Sequence, residues 1–545
     1  MSQNPDNSIL VVNRNVPQSL AFILFLLFGF IYQSSNAVYL SMLGELSGAH
    51  QFHKEDLMLA FQTSLIGVCI SFPILFRVRF RFTSYQILIT CTLVTLLMMV
   101  ISAYTTSLPV LIIANLIMGF FKMIGTFESL ANVQLKITPT RDLGVFYNVI
   151  YTIVLISIQV TGLAAVYLTQ VYNWQIFPYI MIAVLVFQLL IQIIILKPVR
   201  LFKKIPLYGI DWKGMFLWSS FFLTIAFIAY YGQEEDWLNS HIIIGAIVIL
   251  AIIICLLYIN ILCGKRNYLN PAIFKYKNVI ICIVMNFLLM IFLNTSGSIL
   301  SPFTAAVMKL DSINTINLNL WIGAGIVSAH FLCSYWYRKV NKSFRIVFAI
   351  GFLAMTLYHF LIYLDFSSLA GQNILWFPYF LRGFGHLILY VGVNKFMMRG
   401  LGFEYLPHAL FSVGIIRTAV GAPIATSIIA QWEHREIANQ LNKLVSRVDS
   451  GNNIFMDMQA NMLKLAEKGG ASSLESKISA TSAIYHKFHT QAVLLAGKEI
   501  FGWVSLLGFV AVFLICVSPF SSSFIKRFPS WQQLRKLVAR ESRSI

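Results

Sequence analysis

The chain has 545 residues, of which 58% are hydrophobic and only 11% charged, and its mean hydropathy is +0.76. An ordinary soluble domain carries roughly a quarter charged residues, so a water-soluble enzyme is excluded, and 45 Phe, 23 Tyr and 10 Trp exclude a disordered or fibrous chain. Because a helical crossing needs about 20 apolar residues, the composition predicts a polytopic membrane protein. The net charge of +19 raises nucleic acid as a partner, and its distribution decides against it.

In chain order, residues 1–17 carry one basic residue, Arg14, and no small-residue cleavage site, so the first helix is expected to be retained rather than removed as a signal peptide. Apolar runs of spanning length follow near residues 18–39, 57–76, 84–104, 109–130, 144–170, 175–196, 212–231, 241–262, 278–300, 316–337, 346–364, 373–397, 407–431 and 500–519. These fourteen runs predict an all-α protein. The connections beside Pro109 and Trp174 are very short.

With the N-terminus placed in the cytoplasm, the inside segments hold Arg77/Arg79/Arg81, Lys136/Arg141, the basic run from Lys197 to Lys213, Lys265 to Lys277, Arg338 to Arg345, Arg399 and the basic tail 520–545. The short outside loops hold only Lys54 and Lys309, so the excess of Lys and Arg puts both termini in the cytoplasm. Charge spread over alternate loops reports topology, and no nucleic-acid partner is expected. The seven cysteines lie inside or at the ends of apolar runs, which implies no disulfide framework.

The long loop 432–498 is exempt from the charge rule. Helical spacing in Glu436 to Val448 and Asn453 to Lys468, separated by Gly451 and by Gly469-Gly470, predicts a small extracytoplasmic helical element. It is either a solvated cap or a docking surface for a periplasmic adaptor protein.

Fourteen runs can be divided as six, two and six. With the two central runs set aside, Met118-Gly119-Phe120-Phe121-Lys122 in the fourth helix of the first half aligns with Arg382-Gly383-Phe384-Gly385-His386 in the fourth helix of the second. Lys122 then falls opposite His386. Gly162 to Gln170 aligns in the same way with Pro423 to Gln431. Paired halves around a midplane site are a common plan of secondary transporters. The expected organisation is a cytoplasmic N-terminus 1–17, a six-helix bundle 18–196, two extra spans with their flanking loops 197–277, a second six-helix bundle 278–519 that includes the loop 432–498, and the tail 520–545.

Four segments resemble the fourteen-span drug:proton antiporter branch of the major facilitator superfamily, the multidrug efflux transporters. They are Gln233-Glu234-Glu235-Asp236-Trp237, Leu269 to Asn278, Arg382-Gly383-Phe384-Gly385, and Ile416-Arg417-Thr418-Ala419-Val420-Gly421 followed by Gln491 to Ala496. The resemblance implies two six-helix bundles plus two extra central spans, export of small amphipathic compounds against protons, and residence in a bacterial inner membrane. Three positions depart from the family pattern. Pro73 to Arg81 lacks the acid of the usual loop signature, Tyr32 to Asn36 lacks the first-span Asp, and Thr161-Gly162-Leu163 replaces the Gly-Pro of the fifth span.

A charge at bilayer depth costs at least about 2.5–3.5 kcal/mol on insertion scales, so each one asks for a partner or a task. Glu128 is the carboxylate well inside an apolar run and is the first proton-coupling candidate; His386, which titrates near neutral pH in water, is the second. Lys122, Arg382 and Arg417 are candidate cavity charges or substrate-binding residues; Arg382 and Arg417 are either clamps on backbone carbonyls or cavity groups that hold an anion or compete with the proton for an acid. The amides Asn36, Gln159, Asn286 and Asn294 are candidate cavity groups because each needs a partner in hydrocarbon. Aromatic residues such as Phe120, Phe121 and Tyr390 could line an adaptable pocket. No Walker loop, His-Glu-x-x-His, Cys-x-x-Cys or Gly-x-Ser-x-Gly occurs, so no catalytic residue, metal site or cofactor is expected. Three functions remain open: proton-driven export of amphipathic compounds, export or uniport of an anionic metabolite, and a non-transporting scaffold or receptor that works through its outer loop.

Overall fold

The computed structural model describes residues 9–36, 38–50, 52–200, 207–264, 266–340, 343–367, 371–446, 453–468 and 473–518. The tail 520–545 and the glycines Gly451, Gly469 and Gly470 lie outside them. The described residues are almost wholly helical: α1 Gln18–Ser34, α2 Leu43–His50, α3 Lys54–Ser71, α4 Leu75–Arg81, α5 Ser84–Tyr104, α6 Leu108–Ile137, α7 Leu143–Val171, α8 Ile176–Ile195, α9 Trp212–Tyr231, α10 His241–Cys263, α11 Lys277–Pro302, α12 Ser312–Tyr335, α13 Phe344–Asp365, α14 Trp376–Met397, α15 Leu406–Gly414, α16 Gly421–Val445, α17 Asn453–Lys468 and α18 Ser473–Val517. Among these residues, 12 helices are long and apolar enough to cross a bilayer, or 13 if α3 and α4, bent by 63°, form one span. The shorter α1 is also apolar. The protein is an all-α integral membrane protein.

Hydrophobic runs set the helices and capping residues end them. Thr83 accepts from the Gln86 N–H at the start of α5, Asp142 from Gly144 (2.6 Å) at α7, Asp211 from Gly214 (2.8 Å) at α9 and Asp311 from Asn314 at α12, each supplying an acceptor to the unpaired first turn. The N-terminal segment is strapped to the end of α8 by an antiparallel bridge between Val12 and Leu196. That bridge places it at one end of the bundle, with the Arg77–Arg81 turn and the α6–α7 connection; we refer to this as the basic end.

Two crossings repeat each other. A β-carbon on Gly67 of α3 would collide with the Leu116 carbonyl and the Phe120 N–H of α6, and one on Gly119 with the backbone of Ser64. In the second half, a β-carbon on Gly325 of α12 would meet the Phe380 carbonyl and the Phe384 N–H of α14, and one on Gly383 the backbone of Ile322. The register within each helix is the same in both halves: the second glycine follows the carbonyl by three residues and precedes the N–H by one, and the first glycine follows by three the residue whose backbone the second would meet. These small residues let two helix backbones touch, as in other membrane bundles, and the register matches the sequence alignment that pairs Lys122 with His386.

The outer loop differs from the expectation. The spacing predicts a separate helix over Glu436 to Val448, but residues 436–445 continue α16, whose span simply runs on past the apolar run. The last span, expected at 500–519, belongs to the 45-residue helix α18, which begins at Ser473 and packs against α17 and α16. The polar residues of 473–499 keep helical propensity, so hydropathy alone marks only the buried half. The thirteenth run is also interrupted: α15 and α16 are joined by a π-helical turn, Ile415–Ala419.

Candidate functional site

The first helix stops short of its apolar run at the polar segment Gln33 to Asn36, where side chains take up its last carbonyls. Ser35 bonds back to the Ile31 carbonyl (2.8 Å), and the Tyr39 hydroxyl caps the Ser34 carbonyl (3.0 Å). Lys122 of α6, only 3% exposed, reaches this break. Its ammonium donates to the Asn36 side-chain oxygen (2.7 Å) and the Ser35 carbonyl (3.3 Å), and the negative end of the α1 dipole favours the charge. Asn36 also accepts from Ser64 (3.0 Å). An ammonium has three donors, and these contacts use two.

Arg417 stands on the π-helical turn, a distortion frequent at functional sites. Its guanidinium carbon lies 5.0 Å from the Tyr151 ring centroid and 4.7 Å from that of Tyr390. Tyr151 belongs to α7 in the first half and Tyr390 to α14 in the second, and their rings meet edge to face at 5.4 Å. The arginine therefore sits on the seam between the halves. One guanidinium nitrogen, Nη1, is buried without a hydrogen-bond partner, and the Nε2 atom of His386, whose ring packs 4.3 Å from Tyr390, is in the same condition. Gln62 of α3 donates to the Thr418 carbonyl (2.6 Å). Since α3 also carries Ser64, the Lys122 and Arg417 groups are tied to one helix two residues apart.

The buried carboxylates are elsewhere and paired. Glu128, 1% exposed, accepts from Arg79 (3.1 Å), Ser84 (2.5 Å) and Asn132 (3.0 Å) near the basic end of α6. Asp142 pairs with Lys395 (3.2 Å), which also lies 4.3 Å from the Tyr337 ring centroid. This second pair joins the α6–α7 connection of one half to α14 of the other. Among the described residues no salt bridge reaches Lys122, Arg382 or Arg417.

The remaining sequence candidates are dispersed. Arg382 donates to the Leu293 carbonyl (3.4 Å). Asn286 back-bonds to Cys282 and leaves its own side-chain oxygen buried without a partner. Asn294 accepts from Thr426 (3.1 Å). Gln159 is half-buried on α7 and joins none of these groups. Sequence reading misses Tyr151, Gln62, Ser64 and the Asp142–Lys395 pair. Asp142 has a readable signal, an acid two residues before a glycine at a helix start; Tyr151 has none, because nothing in the sequence says which of many tyrosines faces the seam.

No family model and no curated protein matches the chain by sequence, but solved structures match its fold. One is a point mutant of the nucleoside transporter NupG, at 12% identity over 91% of this chain and 99% of that one, with a TM-score of 0.52. Another is the major facilitator superfamily proton:xylose symporter XylE, at 12% identity over 94% and 98% of the two chains, with a TM-score of 0.50. A third comes from work on proton dependent oligopeptide transporters, at 12% identity over 91% and 98%, with a TM-score of 0.50. At such identity the likeness is one of fold: the chain has the major facilitator fold. No group of three or more His, Cys, Asp or Glu among the described residues could hold a metal ion.

Proposed function

We propose that the chain is a secondary transporter that carries a small anionic solute, with Arg417 as its principal ligand. The observation that carries this reading is the buried, unpartnered Nη1 of Arg417 on the seam between the halves, with no carboxylate bonded to it. A buried guanidinium costs free energy unless an anion answers it, and its planar fork suits a carboxylate or phosphate. The Tyr151 and Tyr390 faces stabilise the cation between turnovers by about 0.5–2 kcal/mol and leave Nη1 without a partner. Lys122, with one donor open, is the second cationic ligand, and Asn36 and Ser64 hold it in place.

In this reading α1 completes fourteen spans, both termini are cytoplasmic, the basic end faces the cytoplasm of a bacterial inner membrane, and the halves 18–196 and 278–519 rock about the seam. The Asp142–Lys395 pair closes the cytoplasmic side, and Gln62 against the π-helical turn holds the other. The outer helices α16 to α18 are the surface on which a periplasmic adaptor would dock.

A second reading, proton-driven export of amphipathic compounds as in the multidrug efflux branch, rests on Glu128. Arg79, Ser84 and Asn132 all donate to this carboxylate, so a proton taken up there would compete with Arg79 and loosen that end of the first half. Liposomes holding the purified chain separate the two readings. Anion flux that needs Arg417 and survives Glu128→Gln supports the first. Proton movement evoked by lipophilic cations and lost in Glu128→Gln supports the second.

A further inference from the structure

A cavity of about 550 Å³ lies between α9 and the first-half helices α3, α5 and α6, within the size range of small-molecule pockets. Helix α9 packs on α10, α3 and α16 rather than on α5 or α6, and most of its apolar residues are not buried, so the slot opens toward lipid. It extends from Gly67 and Leu116 to Leu207 and Ile210 at the basic end, and its walls are almost entirely apolar. At that end two guanidiniums converge: Arg77, from α4, and Arg266, from the connection after α10, each place an Nη1 against Gly209, between the lining residues Leu207 and Ile210.

An apolar slot capped by converging arginines matches one kind of molecule in both its parts. We propose that this slot holds an acyl chain of an anionic phospholipid of the cytoplasmic leaflet, with Arg77 and Arg266 on its phosphate. Basic pockets between spans on the cytoplasmic side are a recognised setting for anionic headgroups, and arginine forks bind phosphate in paired hydrogen bonds. A free phosphate ester would use the arginines but not the slot; a zwitterionic lipid would use the slot but gain less from the arginines. The site is separate from Arg417 and rests on the transport reading only for the orientation that names the leaflet.

The test is native mass spectrometry of the full chain in detergent with added phosphatidylglycerol, phosphatidylcholine of the same chains, or glycerol phosphate. The proposal expects retained phosphatidylglycerol in preference to phosphatidylcholine and no stable adduct with glycerol phosphate. In Arg77→Gln/Arg266→Gln the preference falls about tenfold or more, as expected for two lost basic contacts at a membrane surface, and Ser219→Trp, which fills the slot, removes the adduct. Equal retention of the two lipids by the unaltered chain overturns the proposal, as does retention of glycerol phosphate alone. Both outcomes are read without any variant having to fold.

Discussion

At Arg417 the structure accepts an energetic cost that a structural clamp would avoid. Arg382 spends its donor on the Leu293 carbonyl, whereas Arg417 leaves Nη1 buried and open between two tyrosine rings. Removing an uncompensated buried charge is neutral or stabilising when the replacement packs. We therefore predict that Arg417→Met leaves the thermal midpoint unchanged or raises it while abolishing anion flux, measured by thermal unfolding and liposome uptake on the same preparation. A fall in midpoint with flux intact would make Arg417 a clamp. Lys122→Met should weaken anion binding by about ten- to a hundredfold, the loss of one hydrogen bond to a charged group at about 1.5–3 kcal/mol, as read by equilibrium binding. Glu128 behaves differently. Arg79→Met alone leaves a buried carboxylate unanswered and should cost about 3–5 kcal/mol, most of it recovered in Arg79→Met/Glu128→Leu, as checked by denaturant unfolding of the two variants.

At the level of the helices, the glycine crossings set the spacing of the bundle. Gly119 and Gly383 each face the backbone of the neighbouring helix, which cannot move aside as a flexible side chain could. Gly119→Leu and Gly383→Leu should each push a helix pair apart and cost more than the roughly 1–3 kcal/mol of ordinary overpacking, as a loss of folded, monodisperse protein on size-exclusion chromatography. Gly44, where a β-carbon meets nothing, is the control that should tolerate the same change. These crossings are legible in the sequence as a short repeat, because close approach demands glycine at fixed register. Most span positions are legible too, since hydrocarbon imposes them. The break after Ser34, the π-helical turn at 415–419 and the extension of α18 back to Ser473 are not. Each depends on which neighbour satisfies a carbonyl or continues a polar helix, and hydropathy carries no information on that.

For the molecule as a whole, the two buried carboxylate pairs among the described residues differ in place. Arg79–Glu128 lies within one half, whereas Asp142–Lys395 joins the halves and, in the proposed transport cycle, parts when the basic end opens. Lys395→Gln should shift the population toward the inward-open state, seen as faster labelling of a cysteine introduced at Tyr147, a buried residue of α7 one turn from the pair. Unchanged labelling would remove the pair from the gate. The candidate site is only partly readable in the sequence. Lys122, Arg417 and Asn36 stand out because charge and amide are costly in lipid, but their separation from Glu128 and the convergence of Tyr151 with Tyr390 arise from tertiary packing. The central claim is that the seam binds an anion. It is tested most directly by uptake of radiolabelled carboxylate and phosphate esters, and of lipophilic cations, into liposomes containing the purified chain, its Arg417→Met variant or its Glu128→Gln variant. The account predicts saturable flux of an anion that Arg417→Met abolishes and Glu128→Gln preserves. Flux confined to lipophilic cations, exchanged for protons and lost in Glu128→Gln, would contradict it.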